Sequence, residues 1–179
     1  MQVTFFDNLG GPITANAGTV DIKGLEIELT ALLTDNLMLD MGYGYTDAEY
    51  DEINPIEGLS LSIDDSAKLV NTPENSFNIG LEYTLPLDAN EMAFRVDYAY
   101  TDDIYNDSQN SPFLFQESVE VVNASVRFSL GESMDFVVFG KNLADERYIE
   151  SGDSNFGLGF HEANYNRPRE YGVTFRYRF

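Results

Sequence analysis

The chain has 179 residues, of which 31 are acidic and 10 basic, for a formal charge of −21; 13% are aromatic and none is Trp. Such an acidic excess argues against nucleic acid as a partner, because phosphate binding needs Lys and Arg on the contacting face. Cysteine is absent, which removes disulfide staples and thiolate metal sites and is compatible with a periplasmic or outer-membrane address. The length suits one domain of about 100–200 residues. No run approaches about 18 apolar residues, so no transmembrane helix is expected. The opening MQVTFFDNLGG lacks a basic n-region and an apolar h-region. It reads as the start of a cytosolic protein or as part of a longer chain that begins upstream.

In chain order, QVTFF near the start reads as a piece of strand, and a loop with Gly and Asn follows it. Five segments then alternate strictly. GLEIELTALL (24–33) sets Leu25, Ile27, Leu29, Ala31 and Leu33 against Gly24, Glu26, Glu28 and Thr30. LMLDMGYGYT (37–46), SFNIGLEYTL (76–85), EMAFRVDYAYT (91–101) and VVNASVRFSL (121–130) repeat the pattern. Successive side chains on a strand point to opposite faces, so each segment is a strand with one apolar and one polar face. MDFVVFGKNL (134–143) alternates less cleanly, and its orientation stays open. REYGVTFRYRF (169–179) closes the chain with Tyr171, Val173, Phe175, Tyr177 and Phe179 on one face and Thr174, Arg176 and Arg178 on the other. About eight strands and no helix result.

The connections alternate between long (about 7–18, 50–70, 103–117 and 145–167) and short (34–36, 86–90 and 131–133). The short ones hold turn-forming Asp, Asn, Gly and Pro. The acidic runs DAEYDE (47–52), SIDDS (62–66) and TDD (101–103) read as solvated loop. In an up-and-down sheet this places every tight turn at one end and every long loop at the other.

Alternation alone fits a soluble sandwich or lipocalin-like barrel, with its apolar face inward. It equally fits a membrane barrel, with that face toward lipid. Three features favour the membrane. The strands reach the roughly 9–11 residues that cross a tilted bilayer path. Tyr43, Tyr45, Tyr98, Tyr100, Tyr177 and Phe179 gather toward strand ends, as interfacial girdles do. Short turns also oppose long loops.

The stretches KGLEIELTALLTDNLMLDMGYGYTDAEY (23–50), VNTPENSFNIGLEYTL (70–85), GKNLADERY (140–148) and RPREYGVTFRYRF (167–179) resemble the C-terminal barrel of TonB-dependent outer-membrane receptors. The resemblance implies an all-β fold of antiparallel, up-and-down transmembrane strands, about eight of the roughly 22 that enclose a plugged lumen in the family. Residues 1–179 are then the C-terminal portion of such a barrel, without the plug domain. It further implies uptake of a scarce nutrient such as a ferric siderophore, haem, cobalamin or an oligosaccharide in the outer membrane of Gram-negative bacteria. The implied partners are outer-membrane lipid, the remaining barrel strands and plug, TonB acting through that plug, and the barrel-assembly machinery. The terminal set Tyr171, Val173, Phe175, Tyr177 and Phe179 resembles the signal that machinery reads. A complete eight-stranded barrel, in membrane as an adhesin or anchor or in solution as a ligand carrier, is the alternative.

No catalytic constellation is present, and neither a cofactor nor a metal is called for. His161 is the sole histidine, so a His-pair metal site is ruled out. Asp64/Asp65 and Asp102/Asp103 offer carboxylate oxygens without an EF-hand pattern. GYGY (42–45) gives the polar face room for a packed plug or for twist. Glu26, Glu28, Asp40, Arg95, Asp97, Arg127, Arg176 and Arg178 are expected toward the lumen, since a charge facing mid-bilayer lipid costs about 2–4 kcal/mol. Arg95, Arg127, Arg176 and Arg178 are read there as ion-pair partners of Asp40, Asp97, Glu26 or Glu28. Tyr105, Phe113, Phe115, Phe156, Phe160 and His161, in the long loops, are the candidate ligand contacts.

Overall fold

The structure, a computed structural model, describes residues 2–6, 11–16, 18–53, 66–155 and 158–179. Among the described residues thirteen strands follow one another, and none of these residues is helical. They are β1 (Gln2–Phe6), β2 (Pro12–Asn16), β3 (Gly18–Thr34), β4 (Leu37–Ile53), β5 (Asn75–Leu87), β6 (Asn90–Thr101), β7 (Ile104–Tyr105), β8 (Phe115–Gln116), β9 (Val119–Leu130), β10 (Met134–Lys141), β11 (Ile149–Asn155), β12 (Phe160–Tyr165) and β13 (Glu170–Tyr177).

Seven strands form one sheet in the order β13-β10-β9-β6-β5-β4-β3. Every pair in it is antiparallel. The count is one below the sequence expectation, because QVTFF (β1) pairs with β2 in a hairpin of its own. Two further hairpins, β7–β8 and β11–β12, occupy the long connections. The tight turns at 35–36, 88–89 and 131–133 all lie at one end of the sheet, with the long connections at the other. Asp88 and Gly131 take positive φ in two of these turns.

Register carries the alternation from strand to strand. One row reads Leu37, Tyr83, Phe94, Val126, Val138 and Val173 across six strands. Another reads Leu29, Met41, Ile79, Tyr98 and Val122. Phe128, Phe136 and Phe175 are direct neighbours on β9, β10 and β13. The row thus orients β10: Met134, Phe136, Val138 and Gly140 join the apolar face, and Asp135, Val137, Phe139 and Lys141 the polar one.

The apolar face is bare. Ile27, Val96, Val138 and Phe175 are 45%, 50%, 46% and 63% exposed, respectively. Among the described residues, the buried hydrophobic set is only Leu69, Ala93, Leu114 and Ile149, three of which belong to the connections. The described residues therefore give the sheet no core of its own. A 12-residue strand such as β6 runs about 40 Å at about 3.3 Å per residue, enough to cross hydrocarbon when tilted.

β3 and β4 continue well past the expected strand, to Gly18 and Ile53. The acidic run 47–52, read as loop, is instead paired with Thr19–Lys23. Tyr43 and Tyr45 consequently lie in mid-strand, Tyr43 level with Phe77 and Tyr100 and Tyr45 level with Asn75. Backbone pairing continues there, but the apolar set changes faces: Val20, Ile22, Ala48 and Tyr50 fall on the side of Glu26 and Glu28, and Asp21, Lys23, Asp47 and Glu49 on the side of Leu25 and Ile27.

GKNLADERY acquires a structural reason. Asn142, buried and at φ 49°, donates from Nδ2 to Glu146 O (2.8 Å) and Arg167 O (3.3 Å), and its Oδ1 accepts from Glu146 N (2.9 Å). It joins the exit of β10 to the entry of β13. Asn142→Ala is expected to destabilise this junction by about 2–3 kcal/mol, since buried bonds are lost and positive φ is disfavoured. Asn142→Gly, which keeps the backbone freedom, should lose less. Thermal unfolding of the two variants checks the order.

Candidate functional site

The polar face carries an ion-paired belt. Arg95 on β6 reaches Asp97 (Nη2–Oδ1 2.7 Å), Asp40 on β4 (Nη1–Oδ2 3.3 Å) and Glu82 on β5 (Nη1–Oε2 3.8 Å). To reach β4 it must cross β5, and it does so above Gly80. A Cβ on Gly80 would stand 2.5 Å from Arg95 Nη2 and 2.9 Å from Asp97 Oδ1. Thr30 donates to Asp40 Oδ1 (3.1 Å). Arg127 on β9 continues the belt to Glu82 (3.7 Å) and Glu91 (3.2 Å).

Near the turn end, Arg178 pairs with Asp135 (3.0 Å), which also accepts from Ser129 Oγ (2.9 Å). Arg176 lies beside Asp135 in register, but no ion pair forms to it among the described residues. An open cleft of about 510 Å³ there is lined by Arg127, Arg176 and Arg178 together with Asp88, Glu91 and Asp135.

Glu26 and Glu28 stand opposite Gly44 and Gly42 on the same face. A Cβ on Gly42 would collide with the Asn78 side-chain oxygen. Arg95 takes Asp40 and Asp97 as partners, as the sequence reading has it; Arg127 and Arg178 take Glu82, Glu91 and Asp135, which it did not name. Glu91 and Asp135 sit on the adjacent strand and Glu82 one strand further, so their proximity depends on register.

At the other end, the strand mouths are tied by side chains. Asp102 Oδ2 accepts from Asn75 N (2.9 Å) and Nδ2 (2.7 Å), and Asp102 Oδ1 from the Tyr100 hydroxyl (2.5 Å). Tyr43 donates to Asn75 Oδ1 (2.8 Å). Lys68 pairs with Asp103 (2.9 Å). Both carboxylates of the 102/103 pair are thus engaged by protein donors, and Asp64/Asp65 lie outside the described residues.

The loop aromatics separate into groups. Tyr105 and Phe115 meet at 4.9 Å. Phe113 stacks on His161, with centroids 4.7 Å apart and planes at 27°. Phe160 is exposed but pairs with Asn155, so it projects from the opposite side of the β11–β12 hairpin to His161. Phe156 lies outside the described residues. Sequence reasoning missed Arg147, whose guanidinium lies 4.3 Å from the Tyr165 ring centroid. No residue spacing marks that pair.

These features define a class: a sector of an up-and-down barrel with a lipid-type outer face, an ion-paired inner face and elaborated loops at one end. Comparison with known proteins narrows it. Residues 1–143 match the family described as TonB dependent receptor-like, beta-barrel, and the chain belongs to that family of transport receptors. A relative, the probable TonB-dependent siderophore receptor PiuA of Acinetobacter baumannii, is 24% identical over 140 residues, covering 75% of this chain and 18% of its own length. Among solved structures, the ferric yersiniabactin uptake receptor FyuA of Yersinia pestis superposes with a TM-score of 0.78 at 20% identity, covering 93% of this chain and 25% of that one. BauA, the ferric preacinetobactin receptor of A. baumannii, gives 0.70 at 16% identity, covering 98% and 25%. The chain thus spans about a quarter or less of these relatives.

The Tyr100 hydroxyl first, and the Asn75 donors next, hold the Asp102 carboxyl below its ordinary value against an opposing effect of burial. A carboxyl lowered by folding stabilises the protein above its unfolded value, and that contribution fades as pH falls through the folded one. Thermal unfolding of the receptor should therefore show an acid-side loss of stability below the ordinary carboxylate range. Asp102→Asn should flatten that part of the profile while leaving the neutral plateau less stable.

Proposed function

We propose that this chain is the C-terminal sector of an outer-membrane receptor that takes up ferric siderophores under TonB control. The observation that carries the reading is the family match, laid over a sheet whose apolar face none of the described residues covers. The named relatives are siderophore receptors, which favours an iron chelate. Haem and cobalamin, which the resemblance leaves open, have no counterpart among them.

In this reading, the tight turns face the periplasm and the loops face outward. Glu26, Glu28, Asp40, Arg95, Asp97, Arg127, Arg176 and Arg178 face the lumen. They meet the plug, supplied by the rest of the receptor, through which TonB acts. The ion-paired belt stiffens the wall behind that plug. Tyr171, Val173, Phe175, Tyr177 and Phe179 meet lipid and carry the signal for the assembly machinery. Tyr105, Phe113, Phe115, Phe156, Phe160 and His161 supply loop contacts for the chelate. No bond of the cargo is broken; work comes from the inner-membrane proton gradient.

The test is uptake of radiolabelled ferric siderophores by cells whose only outer-membrane iron receptor is the full-length protein. Uptake of at least one chelate is expected, with loss on collapsing the proton gradient. Phe113→Ala should weaken binding about tenfold, since an aromatic stacking contact is worth about 0.5–1.5 kcal/mol. Failure to take up any ferric chelate, with the receptor present and folded in the membrane, contradicts the proposal.

A further inference from the structure

Leu114 is the one large side chain among the described residues with less than 2% of its surface exposed, although it sits in a connection between β7 and β8. It is buried against another connection. A Cβ on Gly152, in β11, would stand 2.7 Å from Leu114 Cδ2 and 3.3 Å from Cδ1. Gly152 does not take positive φ, so its backbone does not require glycine. The space above it does.

Three contacts run in parallel along that docking line. Phe113 stacks on His161, whose Nδ1 is 2.9 Å from Ser154 Oγ. Leu114 sits on Gly152. The Ile149 amide donates to Gln116 Oε1 at 2.7 Å. Gly152, Ser154, His161 and Ala163 share one face of the hairpin. Ser154 is buried and Gly152 and Ala163 half-buried, whereas Ser151, Asp153 and Glu162 on the other face are exposed.

The β7–β8 loop is itself braced. Asn106 donates from N and Nδ2 to Leu114 O, and Asp107 Oδ1 accepts from Ser111 N. Asn110 bonds both ways with the Lys68 backbone, accepting from N (2.7 Å) and donating to O (2.9 Å).

We propose that the β7–β8 loop and the β11–β12 hairpin form one body, closed by Leu114 seated on Gly152. Leu114 is then a positioning residue for the Phe113–His161 stack. The second statement rests on the proposed siderophore-binding role of that stack; the first does not. Leu114 touches no cargo, yet it fixes the relative placement of two connections that are otherwise separated by β9 and β10. Removing it frees Phe113 from His161 and blurs the surface the two present.

Two readouts separate the statements. This chain has no cysteine; with any cysteine in the rest of the full-length receptor replaced, spin labels are placed at Gln109→Cys and Glu162→Cys and their distance distribution read by pulsed electron paramagnetic resonance. A narrow distribution is expected in the parent. Leu114→Ala and Gly152→Val should each broaden it, while Leu114→Met, of similar volume, should keep it narrow. In parallel, Leu114→Ala should weaken ferric siderophore binding about fivefold, and Leu114→Met should restore it. Heat-modifiable migration confirms that each barrel is folded. Should Gly152→Val not fold, Leu114→Ala decides, since it only removes atoms. An unchanged narrow distribution in folded Leu114→Ala overturns the single body. Broadening without any change in affinity overturns the positioning role. A receptor that binds no siderophore defeats the proposed function, yet the distance measurement still decides the single body.

Discussion

Leu25, Ile27, Phe94, Val138 and Phe175 lie on a sheet face over which the described residues place no second layer, and the rest of the fold depends on what covers them. Moving one such side chain out of water is worth about 1.5–3 kcal/mol. A dozen together outweigh the roughly 5–15 kcal/mol net stability of an ordinary domain. The opposite face cannot take that place, because a charge facing lipid at mid-bilayer costs about 2–4 kcal/mol. A slip of one residue would send Arg95, Asp97 and Arg127 into hydrocarbon and the aromatic rows into the lumen. Register is therefore set from both sides of the sheet. The solvent on each face decides it as firmly as the hydrogen-bond ladder does.

The same constraint explains the polar face. Charges gathered on an enclosed wall need partners, and long side chains must cross neighbouring strands to find them. Gly80 lets Arg95 reach Asp40 from two strands away, and Gly42 leaves room for Asn78. Glycine weakens a strand interior. At Gly80 its cost is offset by the close approach of Arg95 to Asp40 across β5. Phe139 lies over Gly172 in the same spirit, its ring occupying the place a Cβ would take.

Much of this was legible in the sequence, and the limits are physical. Alternation is enforced wherever one face meets hydrocarbon, so 24–33, 76–85, 91–101 and 121–130 announce themselves. β10 escapes because Val137 and Phe139 are apolar on the inner face, and only register with β9 and β13 tells them from Phe136 and Val138. In the outer halves of β3 and β4 the alternation reverses its face between Ile22 and Leu25, which breaks the stripe a single period would follow, and the β11–β12 hairpin carries no apolar stripe to read. The polar face offers four arginines the same four acids, Asp40, Asp97, Glu26 and Glu28, and the structure selects Asp40 and Asp97 for Arg95. The Arg127–Glu82 and Arg178–Asp135 pairs needed the fold. The Leu114–Gly152 contact was beyond reach, since a loop leucine and a strand glycine nearly forty positions apart share no pattern.

The described parts of the long connections are thus built on strand mouths that Asn75, Asp102 and Asn142 hold in place. All of it presumes that the apolar face meets lipid, and β10 is where this can be read most directly. Nitroxide labels placed singly at Asp135, Phe136, Val137 and Val138 of the full-length receptor in bilayers report collisions with oxygen, which concentrates in hydrocarbon. High accessibility at Phe136 and Val138, with low accessibility at Asp135 and Val137, is the expected result. A flat profile, or one with the opposite alternation, would contradict a membrane-facing apolar sheet.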